Sequence, residues 1–159
     1  MAEKLQKRIA ELYFYKIWNQ RDFRLTPYLF SDQCMTKHLS GLQKVEQSCN
    51  PDEINNYVRQ WLQAFPNLQV RINRIVGDQC NLFTYCTLIG THHGVWQGIE
   101  ANGKTVEIEI MMILTLANGK IVENLIMVDY LGIYNQLGVI QELPVSSQNH
   151  QDPLKHPPS

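Results

Sequence analysis

Five histidines, four cysteines and a scatter of carboxylates carry the side-chain chemistry open to this 159-residue chain. His38, in the run Cys34-Met35-Thr36-Lys37-His38, is a candidate proton shuttle, because imidazole changes charge near neutral pH. The competing reading is a surface histidine or one satisfied in a core. Asp129 follows an apolar stretch and precedes a helical one. It is a candidate general acid or base, and equally a helix cap, since Asp is a good N-cap. His92 and His93 sit side by side between glycines. Adjacent residues on a strand point to opposite faces, so at most one of them can face a pocket. A structural hydrogen bond pinning the bend accounts for them equally well. Glu107 and Glu109 stand two residues apart, on one face of a strand, which would suit a glycosidase-like or metal-binding pair. The cysteines, at positions 34, 49, 80 and 86, form no Cys-x-x-Cys pair. Their spacing therefore offers no metal site, and no neighbour in sequence marks an activated thiolate.

These residues need a scaffold, and the apolar periodicity supplies one. Leu5, Ile9, Leu12, Tyr13 and Ile17 recur at three- and four-residue steps, which predicts a helix from residue 3 to about 20. Phe14, Tyr15 and Trp18 widen its buried stripe. A short second helix is expected to begin at Thr26 or Pro27, because proline suits a first helical turn. Residues 41 to 49 are polar and read as a loop. Asn50, Pro51 and Glu53 then spell an N-cap, a first helical residue and a capping box. Ile54, Tyr57, Val58, Trp61, Leu62 and Phe65 keep the helical period until Pro66 ends it.

Beyond Pro66 the period switches to two. Strands are expected over 68–72, 81–89, 106–110 and 121–128. Asn102-Gly103 and Asn118-Gly119 read as tight hairpin turns. A last helix, Tyr130 to Leu137, should stop at Gly138. Helices first and an antiparallel sheet afterwards make an α+β domain over residues 1–140, the sheet curved into a cone around the N-terminal helices. Residues 141–159 hold four of the seven prolines and read as a flexible tail.

Lys and Arg total 14 and Asp and Glu total 15, so the net charge is −1. That balance argues against a nucleic-acid binder, which shows a basic patch or a high pI. It also puts little electrostatic resistance in the way of self-association. The longest strongly apolar run, Ile110 to Leu114, is far too short to span a membrane. Glu3, Lys4, Lys7 and Arg8 break up the N-terminal segment, so no apolar signal core is expected there. With unpaired thiols this points to a cytoplasmic protein.

Several short motifs now fall into a pattern. They are Trp18-Asn19-Gln20-Arg21-Asp22, Ala64-Phe65-Pro66-Asn67-Leu68, Gly90-Thr91-His92-His93-Gly94 with Gly98 after it, Gly119-Lys120-Ile121-Val122-Glu123, Asp129-Tyr130-Leu131-Gly132 and Gln136-Leu137-Gly138. In this order and spacing the chain resembles the SnoaL-like polyketide cyclases, within the nuclear-transport-factor-2-like superfamily. The resemblance implies a cone-shaped α+β barrel, often dimeric, with a deep apolar cavity and neither metal nor organic cofactor. It implies a substrate of the aromatic polyketide ester type, cyclised by acid–base catalysis. It turns Val106, Ile108, Ile110 and Met112 inward and Glu107 and Glu109 outward. The expected pocket is then formed by Tyr13, Trp18, His38, Trp61, His92, Trp96, Ile108, Ile110, Met112, Asn124 and Ile126, with Trp96 near the mouth.

The departures from the family pattern carry as much information. The family's acid/base aspartate falls on Ile126, and the histidine that assists it falls on Met112. Neither side chain transfers a proton. Three functions follow as expectations. One is a cavity protein for an apolar ligand. Another is a cyclase or isomerase acting on a hydrophobic carbonyl compound through His38 or Asp129. The last is an oligomerising module whose sheet face pairs with a second copy.

Overall fold

The computed structural model describes residues 2–39 and 44–140, so the proline-rich tail lies outside the described residues. The N-terminal helix α1 (Ala2–Glu11) continues into a π-wound segment, Leu12–Asn19. The wider winding turns Tyr13, Phe14, Ile17 and Trp18 inward together, while Tyr15 stays exposed. A 3-10 turn, Phe23–Leu25, leads into the short α2 (Thr26–Leu29), with its proline in the first turn as expected. Helix α3 (Pro51–Ala64) starts on the anticipated capping box. The Glu53 amide donates to Asn50 Oδ1 at 3.0 Å, and the Asn50 amide donates to the Glu53 carboxylate at 2.7 Å.

Six strands follow one another in the sheet order β2-β1-β6-β5-β4-β3. They are β1 (Phe30–Leu39), β2 (Lys44–Cys49), β3 (Gln69–Gly77), β4 (Asn81–Thr91), β5 (Thr105–Ala117) and β6 (Lys120–Val128). The result is a mixed α+β fold: a curled, unclosed sheet with the helices against its inner face, as the sequence indicated. Val106, Ile108, Ile110, Met112 and Leu114 of β5 are all buried, and meet Leu82, Cys86 and Leu88 of β4 and Ile126 and Val128 of β6 in one core. Glu107 is exposed and Glu109 half-buried on the other face. None of the described helices is long and apolar enough to cross a membrane.

Two expectations about the strands need correction. The sheet is not wholly antiparallel, because β1 runs parallel to β6. Residues 44–49, read as loop, form β2. The reason is visible in burial. Five of the six β2 residues are exposed at a sheet edge, so nothing imposes an alternation of apolar and polar residues. In β1 an inward position is taken by a threonine, Thr36, which masks the period.

The turns also divide. Asn118 and Gly119 both hold positive φ, 51° and 76°, and make the expected hairpin between β5 and β6. Asn102-Gly103 does not: β4 and β5 are joined by a longer excursion, and its tight turn is Gln97-Gly98, with φ of 48° and 80°, where Trp96 pairs with Ile99. Helix α4 (Tyr130–Leu137) ends at Gly138, whose φ of 78° is left-handed.

Candidate active site

Where the family motifs meet, they build the framework of the site. Asn19 Nδ2 donates to the Val70 carbonyl at 2.8 Å, and the Val70 amide donates to Asn19 Oδ1 at 2.6 Å. The Arg21 guanidinium donates to the Leu68 carbonyl at 2.8 Å and also reaches the Trp18 and Pro66 carbonyls. The end of the first helix is thereby fastened to the turn that follows α3. The amides of His93 and Gly94 both donate to the Ala64 carbonyl at 3.0 Å, closing the C-terminal end of α3. That bend aims Val95, Trp96 and Gln97 across the mouth of the fold.

Two spaces lie beside α3, the inner one against β1, β2 and β6 and the outer one against the β4–β5 excursion and the start of α4. The outer one, about 240 Å³, is walled by Trp61, Trp96, Tyr57 and Tyr130, with Gln60, Gln63 and Gln97 on the rim. Its aromatic rings form a continuous wall. Trp96 stacks on Tyr130 with ring centres 6.0 Å apart, and Trp61 lies 5.6 Å from Trp96. The inner space is a narrow chamber of about 30 Å³, with the exposed Gln47 and Glu53 at its edge. Tyr13, Thr36, His38, Tyr57, Asn124 and Ile126 line it, together with Gln47, Cys49, Glu53 and Ile54. Tyr57 belongs to both walls and stands between the two spaces.

Of the expected pocket residues, Tyr13, His38, Asn124 and Ile126 meet at the inner chamber, and Trp61 and Trp96 at the outer one. Trp18, Ile108, Ile110 and Met112 are buried in the packed core rather than on either wall. Trp18 supports the site from behind, edge-on to Tyr13 and to Tyr57 at 6.4 and 6.3 Å. His92 is fully buried and stacked on Phe65 at 5.3 Å, with Nδ1 3.4 Å from Asn102 Oδ1. It is off both walls and braces the β4–β5 excursion. Asp129 is exposed and accepts the Gly132 amide at 2.8 Å as the N-cap of α4, on neither wall. The site thus offers a small chamber of mixed polarity next to an aromatic vestibule.

His38 is the ionisable group best placed for chemistry. It is half-buried, its ring 4.9 Å from that of Tyr57, and burial holds its pKa below the usual value of 6.5. The imidazole is therefore neutral at pH 7, with one nitrogen able to accept a proton. Burial pushes the Tyr13 and Tyr57 phenols well above their ordinary range, so both keep their protons and remain donors. Cys34 and Cys86 are pushed up to about 11 and about 12 by burial, which leaves them as inert thiols.

Sequence reasoning missed Thr36 and Tyr57. Thr36 sits on an unrecognised strand. Tyr57 was legible only as one apolar step of a helix, although a tyrosine in such a stripe carries a polar tip that needs a partner.

The comparisons with known proteins agree with this architecture. No curated protein matches the chain. Among solved structures, a candidate SnoaL-like polyketide cyclase from Jannaschia sp. CCS1 superposes with a TM-score of 0.75 at 18% identity, covering 87% of this chain and 94% of that one. A candidate polyketide cyclase from Acidithiobacillus ferrooxidans gives 0.76 at 16% identity, covering 86% and 96%. AclR, a candidate hydroxylase from Streptomyces galilaeus, gives 0.74 at 21% identity, covering 91% of each chain. These likenesses establish a shared fold. The family description "SnoaL-like polyketide cyclase" matches residues 8–137, most of the chain. On that match, together with the fold and the motif contacts that hold it, the chain belongs to the SnoaL-like polyketide cyclase family.

Proposed function

We propose that this protein binds a hydrophobic aromatic compound in the vestibule beneath Trp96, and that it has lost the acid/base aspartate of the cyclases. The observation that carries this reading is the pairing of Met112 with Ile126. The two are register partners across β5 and β6, both almost fully buried, at the positions where the family resemblance would put a histidine and an aspartate. An apolar pair there stabilises the core by burial, about 1.5–3 kcal/mol per large side chain, and offers no proton.

A second reading is favoured by one specific observation. His38, neutral and lining the same chamber as Ile126, is positioned to move a proton in a slow cyclisation or isomerisation of a carbonyl compound. Asp129, committed to its helix cap, is the weaker candidate.

Turnover of an aromatic polyketide methyl ester separates these readings. The wild-type protein should be slow and Ile126→Asp faster. A wild type that matches an authentic cyclase overturns the loss of the acid, and a further loss of that rate in His38→Ala would assign it to the histidine.

The partner we propose is a second copy of the chain. Met111 and Met127 are register partners on the outer sheet face and are 45% and 49% exposed, with Ile113 beside them at 37%. The cytoplasm is the compartment that suits the four unpaired thiols, Cys34, Cys49, Cys80 and Cys86.

A further inference from the structure

The inner chamber is bounded by polar atoms that have nothing to bond. Tyr13 Oη, Thr36 Oγ1, Tyr57 Oη and Asn124 Oδ1 are all buried, and none has a hydrogen-bond partner among the described residues. All four residues line the same chamber. The residues Tyr13, Thr36 and Asn124 are 0%, 3% and 1% exposed. Of the other polar side chains on this wall, His38 adds a neutral imidazole, and two more are already engaged. Glu53 accepts the Asn50 amide in the capping box, and Gln47 donates to Cys49 Sγ.

A buried polar atom without a partner is costly, on the order of 1–3 kcal/mol each, and folded proteins avoid leaving several together. Four around one void are too many to be an accident of packing. A chamber of about 30 Å³ exceeds the roughly 10–15 Å³ that one water needs, so it has room for an oxygen atom among these partners but not for an aromatic ring. The set is asymmetric: three hydroxyls that can each donate, and one amide oxygen that accepts. That set fits an oxygen which accepts two or three hydrogen bonds and donates at most one.

We propose that the chamber is an oxygen subsite, which takes the carbonyl or phenolic oxygen of an aromatic ligand while the ligand's ring lies against Trp61 and Trp96. Water fills the subsite when no ligand is bound. The subsite rests on the reading of the vestibule as a ligand site, and it makes the ligand an oxygenated aromatic rather than a hydrocarbon. The Tyr57 side chain, shared by both walls, turns aside to admit the oxygen and then donates to it.

Two probes of equal size test this, 2-naphthol and 2-methylnaphthalene. Their affinities are read from the indole Nε1–H signals of Trp61 and Trp96 in titrations followed by NMR. The wild-type protein should bind 2-naphthol about tenfold more tightly, the difference one retained buried hydrogen bond makes. Thr36→Val and Tyr57→Phe together, both close in shape to the native residues, should bring the ratio to about one, and the same spectra report whether the variant is folded. If wild type binds both probes equally, the oxygen subsite is wrong and the vestibule stands. If neither probe moves the two indole signals, the vestibule reading falls and the subsite with it. The wild-type ratio decides the matter even should the double variant fail to fold.

Discussion

His38 and Ile126 are register partners across the parallel β1–β6 pair, and they share the wall of one small chamber. Register partners in neighbouring strands place their side chains on the same face of the sheet. A carboxylate at position 126 would therefore stand beside the imidazole. Ile126→Asp should raise the His38 pKa by about one unit or more through this charge pair, measured by NMR titration of the ring protons. It should also cost about 3 kcal/mol of stability, since a charge replaces a buried isoleucine. An unmoved His38 would show that the two side chains do not face each other.

Wild-type His38 gives the protein an acid-side weakness. Burial lowers its folded pKa below the 6.5 of an exposed imidazole. The unfolded chain then takes up a proton at a pH where the folded one does not. This contribution leaves stability intact above that value, erodes it as pH falls through it, and stops eroding once folded His38 is charged as well. His38→Gln should lose less stability between about pH 7.5 and about pH 5 than wild type does. Urea unfolding of the two proteins at both pH values makes the comparison, and equal losses would remove His38 from the account.

The contact between the first helix and the α3–β3 turn should be the more sensitive joint. Asn19→Ala removes both hydrogen bonds to the Val70 backbone and leaves a half-buried amide and carbonyl unpaired. A loss of about 2 kcal/mol is expected in chemical denaturation. Tyr57→Phe, by contrast, removes a hydroxyl that has no partner among the described residues and should change ligand-free stability by about 0.5 kcal/mol or less.

Gly94 has no room for a methyl group. A Cβ there would run into the Gln63 carbonyl and the Ala64 backbone. Gly94→Ala should cost about 1–3 kcal/mol and displace Trp96 from its stack on Tyr130, visible as a change in tryptophan fluorescence. An unaltered spectrum would mean that the bend does not set the position of Trp96.

The outer sheet face gives the test of association. Met111→Glu puts a charge opposite Met127 in the middle of the exposed apolar strip. If two copies pair there, sedimentation should move from dimer to monomer. A variant that sediments as wild type does would place any interface elsewhere.

How much of this could be read from the chain alone depended on what each residue faces. Helix α3 was legible to the residue at its start and to within one at its end, because its cap, its stripe and its terminating proline are local signals. Strands β4, β5 and β6 were legible because one face of each is buried, which forces alternation. Strands β1 and β2 were not. Thr36 replaces an apolar residue on an inward position, and β2 has scarcely any buried face. The parallel pairing of β1 with β6 is set by distant contacts and leaves no local trace. At the site, His38, Asn124 and Ile126 were placed by the family frame, and Trp96 by its glycine-flanked turn. That frame also assigned Trp18 and Met112 to the pocket, where packing makes them core. Thr36 escaped because its strand did, and Tyr57 because a tyrosine within an apolar stripe looks like filling until its hydroxyl is found without a partner.

The parallel strand pair also sets an order of events. Lys37 of β1 meets Glu123 of β6 across 86 residues of sequence. When β1 leaves the ribosome it has only the nearby, nearly bare β2 beside it, and its other edge must wait for almost the whole domain to be made. Contacts of such long range form slowly, and an unpaired strand edge invites association in the meantime. One wall of the chamber is that same pair, with His38 on one strand and Ile126 on the other. The site is thus among the last parts of the molecule to be assembled, and a chain that stops short of Lys120 would carry His38 on a strand without β6 beside it.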